Sequence, residues 1–160
     1  MVVADVGAGT GLFTEPLARA VGPKGKVIAV DIVPLFLEHI RQRAAEAGLS
    51  NVSTVLCKED SVEVPADSID LAFVCDTYHH FEYPKSTLRS IHTALRAGGQ
   101  LIIVDFKRIP GVSRAWVLEH VRAGQDEVTA EIRAAGFELV SQGSEAPYLD
   151  ENYLLRFRKR

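Results

Sequence analysis

Gly7, Gly9 and Gly11 fall at alternate positions in "DVGAGTG", directly after the apolar run Val2–Val6, with Asp5 two residues before the first of them. A strand that ends in such a loop exposes main-chain N–H groups at the start of the next helix, where they favour an anionic group. Asp5 ends a strand whose neighbours are apolar, where an uncompensated carboxylate is costly, and a cationic ligand group nearby would offset that cost. Asp31 closes a second apolar run, "KVIAVD", twenty positions after Gly11. An acid at that place can accept hydrogen bonds from ribose hydroxyls. Glu59 and Asp60 lie just past a third run, and one or the other suits an exocyclic amino group. The ligand described by these residues has a carboxylate, a cationic centre, a ribose and an adenine. A nicotinamide dinucleotide fits less well, because G-x-G-x-x-G started at Gly7 meets Leu12 at its sixth position, and the phosphate loop G-x-x-x-x-G-K-[ST] is absent.

The second concentration of reactive side chains is "CDTYHHFEY", Cys75–Tyr83, after a strand C-terminus, the edge where doubly wound sheets bind ligands. His80 either packs within the loop or serves as a near-neutral base. His79 and Tyr78 are candidate substrate contacts. His39, His92 and His120 fall in helical or connecting segments and are expected to face solvent. Cys57 and Cys75 have neither disulfide nor metal-ligand spacing. They read as small core residues in a reducing cytoplasm, and no metal is implied. The basic end "RFRKR" is expected to protect an edge strand rather than to hold nucleic acid.

The elements that must position these groups alternate. Strands are predicted over Val2–Val6, Lys26–Asp31, Val52–Cys57, Ile69–Cys75 and Gln100–Phe106, each a near-continuous apolar run suited to a parallel sheet covered on both faces. A helix is predicted over Pro34–Ala47, with Pro34 in its first turn and Gly48 as its stop. Leu88, Ile91 and Leu95 make a second helical stripe after Pro84, ended by Gly98-Gly99. Val128, Ile132 and Ala135 make a third, begun by Asp126 and closed by Gly136. The last two strands, Phe137–Gln142 and Tyr153–Arg158, have only a loop with Pro147 between them and should pair antiparallel. The pattern is one doubly wound α/β domain over residues 1–160.

Composition narrows the function class. An apolar fraction of 47% and a charged fraction of 24% are those of a globular domain, and a net charge of −3 argues against a surface built for nucleic acid. No apolar run approaches a membrane span, and no signal-peptide layout is present. The expected setting is cytoplasmic, with no membrane partner.

"DVGAGTG" resembles motif I of the class I S-adenosylmethionine-dependent methyltransferases, and "VIAVDI" the acidic strand that follows it. "SIDLAFVCDTYHHFEYPKSTLRSIHTALRAGGQLIIVDF" resembles the fourth strand, substrate-side loop, helix and fifth strand of the small-molecule group, which includes quinone-biosynthesis methyltransferases. S-adenosylmethionine carries all four ligand groups deduced above. The resemblance implies a sheet order of 3-2-1-4-5-7-6 with strand 7 antiparallel. It implies that Gly7, Gly9 and Gly11 line the methionine end with Asp5 near its amino group. Asp31 would then hold the ribose, and Asp76 and Thr77 would flank the cofactor. Glu59 or Asp60 would meet the adenine where "CKED" replaces the family's usual run. It implies methyl transfer to a small-molecule acceptor, with His80, His79 and Tyr78 as catalytic candidates. The family usually carries helices before the first strand; Met1 already stands at that strand's edge, so missing cover and a homodimer are expected. Two rivals stand beside this reading, an NAD-type dinucleotide oxidoreductase and a cofactor-binding module without catalysis. Nucleic-acid methylation is weaker, since the Asn/Asp-Pro-Pro-aromatic run is absent.

Overall fold

The computed structural model describes residues 1–143 and 149–160. The apolar runs become strands because both their faces can be covered. Val2–Val6 (β1) is buried from Val3 onward and Lys26–Asp31 (β2) from Val27 onward. Between them Thr14–Val21 (α1) leaves the glycine loop, and Pro34–Glu46 (α2) follows β2 with its proline at the N-terminus, where the missing N–H costs nothing. Val52–Leu56 (β3), Ile69–Cys75 (β4), Pro84–Ala94 (α3) and Leu95–Phe106 (β5) come next. Ala115–His120 (α4), Gln125–Ala134 (α5), Phe137–Ser141 (β6) and Asn152–Lys159 (β7) complete the chain.

The seven strands form one sheet in the order β3-β2-β1-β4-β5-β7-β6. Pairings of β1 with β2 and β4, β2 with β3, and β4 with β5 are parallel, whereas β7 runs antiparallel to β5 and β6. The expected order is therefore observed. Pro147 lies outside the described residues. Val3, Val27 and Ala18 pack with Leu17, Val21 and Leu49 on the α1–α2 side. Ala4, Val30, Val74, Leu101, Ile103 and Phe157 meet Leu88, Ile91, Val128 and Ile132 on the α3–α5 side. The chain order reverses between β1 and β4, so their C-terminal ends open a crevice.

Four expectations change. Leu95 is not the last residue of a helical stripe but the first of β5, paired with Ile69. Pairing then slips and resumes at Leu71↔Gln100, so Gly98-Gly99 form a bulge inside the strand rather than a helix stop. The basic residues near the end lie on β7, which has neighbours on both sides and is no edge. They meet local partners: Arg156 donates to Gln100 at 2.8 Å, Arg158 to Glu138 at 2.9 Å, and Lys159 reaches Asp67 at 3.3 Å. His92 does not simply face solvent; it is half-buried and packs edge-on against Phe137.

Candidate functional site

The glycine loop is fastened to β2. The Gly7 and Ala8 amides both donate to the Val30 carbonyl, at 2.8 and 3.1 Å. Asp31 is buried and uses both carboxylate oxygens: Oδ2 accepts from the Gly9 amide at 2.8 Å and Oδ1 from the Val33 amide at 2.9 Å. The same acid thus staples the loop and lines the cleft, and its second lone pairs stay available for ligand hydroxyls. Gly7 has φ +72°, and a Cβ there would stand 2.1 Å from Thr77 Cγ2. The loop after β4 comes that close because Thr77 Oγ1 donates to the Cys75 carbonyl at 2.9 Å and the Gly7 carbonyl at 3.2 Å. Gly9 faces open space, while Gly11 turns to the far side against Ile40 in a recess with Thr10 and Thr14.

Asp5 lies beneath this loop, only 3% exposed, and accepts a hydrogen bond from Thr14 Oγ1 at 2.6 Å. Burial pushes its carboxyl up to about 6 despite that hydroxyl, and the charge of Asp31 adds to the rise. It does not line the cleft.

The cleft has a volume of about 580 Å³ and runs along the C-terminal ends of β1, β2 and β4, within the ~300–1,000 Å³ typical of small-molecule sites. Gly7, Gly9, Asp31, Glu59, Asp76, Thr77 and His80 all reach it, among apolar Ile32, Val33, Phe36, Val62 and Phe81. Of the two candidate acids after β3, Glu59 lines this cleft, and it shares a shallower neighbouring recess with Asp60 and Tyr83. The intervening turn is closed by the Lys58 amide donating to the Ser61 carbonyl at 2.9 Å. Asp76 has φ +49°, an uncommon conformation that aspartate tolerates better than most residues. Burial raises its carboxyl and the charge of Asp105 adds to this, against an Asn152 amide 2.6 Å away.

The three catalytic candidates form one 3₁₀ turn, Tyr78–His80, and separate. Tyr78 is fully buried and donates its hydroxyl to Glu131 at 2.7 Å; Arg122 bridges the same carboxylate and stands 5.4 Å over the Tyr78 ring. His79 is buried as well, with its amide on Asp105 Oδ2 at 3.0 Å and its ring Nδ1 on Asp105 Oδ1 at 2.7 Å. Tyr78 points into protein because its hydroxyl has partners there, and His79 is held through its amide and Nδ1; neither lines the cleft. His80 does. Burial lowers its imidazole below the ordinary histidine range, and the neighbouring His79 and His120 push the same way.

Sequence reasoning missed several of these residues. Asp105 is an acid inside an apolar strand, the same kind of signal that singled out Asp5. His120 is exposed, as expected, yet its ring stands 5.2 Å from that of His79 and 4.9 Å from that of His80. Cys57 is no simple core residue but half-buried in the cleft wall, its thiol pushed up to about 11 by burial and by the charge of Asp31.

A profile of the family described as "Methyltransferase domain" matches residues 1–153. The chain therefore belongs to the methyltransferase domain family, in its class I S-adenosylmethionine-dependent branch, whose cofactor is S-adenosylmethionine. It is 30% identical over 117 residues to the ubiquinone/menaquinone biosynthesis C-methyltransferase UbiE of Hahella chejuensis, covering 71% of this chain and 47% of that protein. The corresponding protein of Pasteurella multocida is 30% identical over 107 residues, covering 66% of this chain and 40% of its own length. The chain thus spans less than half of these curated relatives. Among solved structures, an S-adenosylmethionine-dependent methyltransferase from Aquifex aeolicus superimposes with a TM-score of 0.88 at 23% identity, over 100% of this chain and 82% of that one. The [4+2]-cyclase SpnF gives 0.83 at 19% identity, over 99% of this chain and 74% of that one. A cyclase on the same fold means that this fold does not by itself fix the reaction.

Proposed function

We propose that the cleft between β1 and β4 holds S-adenosylmethionine and that the chain directs its methyl group to a small-molecule acceptor beside His80. The observation that carries this reading is the convergence of the glycine loop, two carboxylates from β2 and the β3 turn, and one imidazole on a single 580 Å³ cleft. The donor set fits the cofactor. Asp31 accepts from ribose hydroxyls, Glu59 rather than Asp60 accepts from the adenine amino group, and Ile32, Val33, Phe36 and Val62 offer apolar surface to the base. Gly7, Gly9 and Thr77 face the methionine end, with Gly11 holding the loop from behind. Asp76 flanks that end, and Asp5 acts on its cationic centres through the loop rather than by contact. When bound, the cofactor supplies a methyl group made electrophilic by its sulfonium.

The chain's own part is alignment and exclusion of water. Burial and the neighbouring imidazoles favour the neutral form of His80, the form that can take a proton from a hydroxyl or carbon-acid acceptor. An acceptor that is already ionised needs no such help. Tyr78 and His79 act as positioning residues by anchoring the turn that presents His80. The names of the relatives, C-methyltransferases of ubiquinone and menaquinone biosynthesis, put carbon acceptors of quinone-related compounds first among those to try. A homodimer in which a second copy shields the cleft is the assembly we propose, to be read by light scattering.

Turnover to S-adenosylhomocysteine across a panel of phenols, thiols, amines and carbon acids tests the reading. We expect product with at least one class, and His80→Ala to slow acceptors that must lose a proton while sparing pre-ionised ones. Reduction of NAD in place of methyl transfer would favour the oxidoreductase, and cofactor binding without any turnover would favour the non-catalytic module.

A further inference from the structure

We propose that His79, His80 and His120 form a binding site for a divalent transition-metal ion of the zinc class beside the cleft, which His80 alone of the three lines. Each offers one ring nitrogen, and the three nitrogens lie within 4.8 Å of one another. The rings of His79 and His80 are 4.1 Å apart, and that of His120 closes the triangle from α4. The sequence hides this grouping because His120 comes forty residues after His80.

The chemistry of the cluster is selective. Bonds of about 2.0 Å to a tetrahedral ion bring ligand nitrogens to roughly 3.3 Å. His80 and His120 are exposed and can turn inward by that amount, while His79 is held. Its holder is Asp105, which is buried beside it and engages Nδ1 at 2.7 Å, leaving Nε2, which has no hydrogen-bond partner among the described residues, to meet the ion. A carboxylate that fixes the tautomer of a histidine in this way is the usual support behind a metal-bound imidazole. Three imidazole ligands with no carboxylate among them suit Zn²⁺, Ni²⁺ or Cu²⁺ and offer little to Mg²⁺ or Ca²⁺. Three protein ligands also leave a tetrahedral ion one open position. His80 cannot both ligate the ion and accept a proton with the same lone pair, so occupancy of this site and free-base action exclude each other.

Trp116, the only tryptophan of the chain, provides the readout, since its ring lies 6.5 Å from that of His120. Titration with Ni²⁺ in the absence of cofactor should quench its fluorescence to a 1:1 endpoint. Zn²⁺ should reverse the quenching by displacement, and Mg²⁺ should do neither. His80→Ala and His120→Ala, both at exposed positions, should each weaken Ni²⁺ binding about tenfold or more. Asp105→Asn, if circular dichroism shows it folded, should weaken binding about 10–100-fold. His39→Ala, an exposed histidine on α2, should change nothing. Absence of saturable quenching, or equal binding by wild type and His120→Ala, would overturn the site. Because no cofactor is present, either result leaves the methyl-transfer reading untouched.

Discussion

The glycine loop after β1 and the histidine turn after β4 face one another across the same cleft, yet they are held by different means. The loop is fixed by main-chain amides donating to Val30 and Asp31 on the adjacent strand, with side-chain bulk removed where Thr77 approaches. The turn is fixed by side chains: His79 on Asp105, and Tyr78 on Glu131, which Arg122 also engages. The first arrangement presents backbone to a ligand and demands particular residue types at particular places. The second buries two of its three reactive side chains so that the third, His80, is presented. The two walls of the cleft thus differ in what a mutation would cost and where the cost would appear.

The largest expected effect is on the loop. Gly7→Ala should cost about 3–4 kcal/mol, because it combines a left-handed backbone with a collision against Thr77. Gly9→Ala has nothing within 4 Å and should cost only about 1 kcal/mol of backbone strain. Denaturant midpoints of the two variants decide the matter, and equal losses would mean that Thr77 does not press on the loop.

Asp5 gives a pH signature to the same region. Its folded value of about 6 lies above the ordinary 3.8, so the folded chain holds the proton more tightly than the unfolded one. The associated stability is complete below about pH 4 and is lost as the pH rises through 6. Asp5→Asn should therefore raise stability at pH 7 by about 2–3 kcal/mol and flatten its dependence between about pH 4 and 6. Unfolding measured at pH 5 and 7 would show it. The same variant should bind S-adenosylmethionine more weakly, since it removes the charge beneath the loop.

On the histidine side the effects should be smaller and should fall on folding. Asp105→Asn turns an N–H toward a donor and should cost about 2 kcal/mol. Tyr78→Phe loses one hydrogen bond to Glu131 and should cost about 1 kcal/mol, with cofactor affinity unchanged. Denaturation paired with calorimetric titration separates the two quantities. A loss of cofactor affinity in Tyr78→Phe would move Tyr78 from support to contact.

The contrast also accounts for what could be read from the chain. Gly7, Gly9, Asp31 and the strand pattern were legible because their constraints are local: a tight turn, a strand end, an uninterrupted apolar run. The antiparallel final pair was legible because no helix-length segment separates its strands. The histidine turn was legible as a place but not as an arrangement. Tyr78 finds Glu131 fifty-three residues on and His79 finds Asp105 twenty-six residues on, and no periodicity announces such partners. Leu95 was misassigned for a related reason: it continues the helical stripe of α3, but pairing with Ile69 draws it into β5. That Glu59 rather than Asp60 lines the cleft follows from the turn after β3, which no spacing in the sequence announces.

The central claim is that the β1–β4 cleft is an S-adenosylmethionine site with Asp31 on its ribose wall. Calorimetric titration of wild type and Asp31→Ala with S-adenosylhomocysteine, and of wild type with NAD, tests it most directly. Micromolar binding of S-adenosylhomocysteine by wild type, about −8 kcal/mol, is predicted. Asp31→Ala should lose about 1–3 kcal/mol of it, and NAD should bind more weakly than S-adenosylhomocysteine. Equal affinities of the two proteins, or a preference for NAD, would contradict the account.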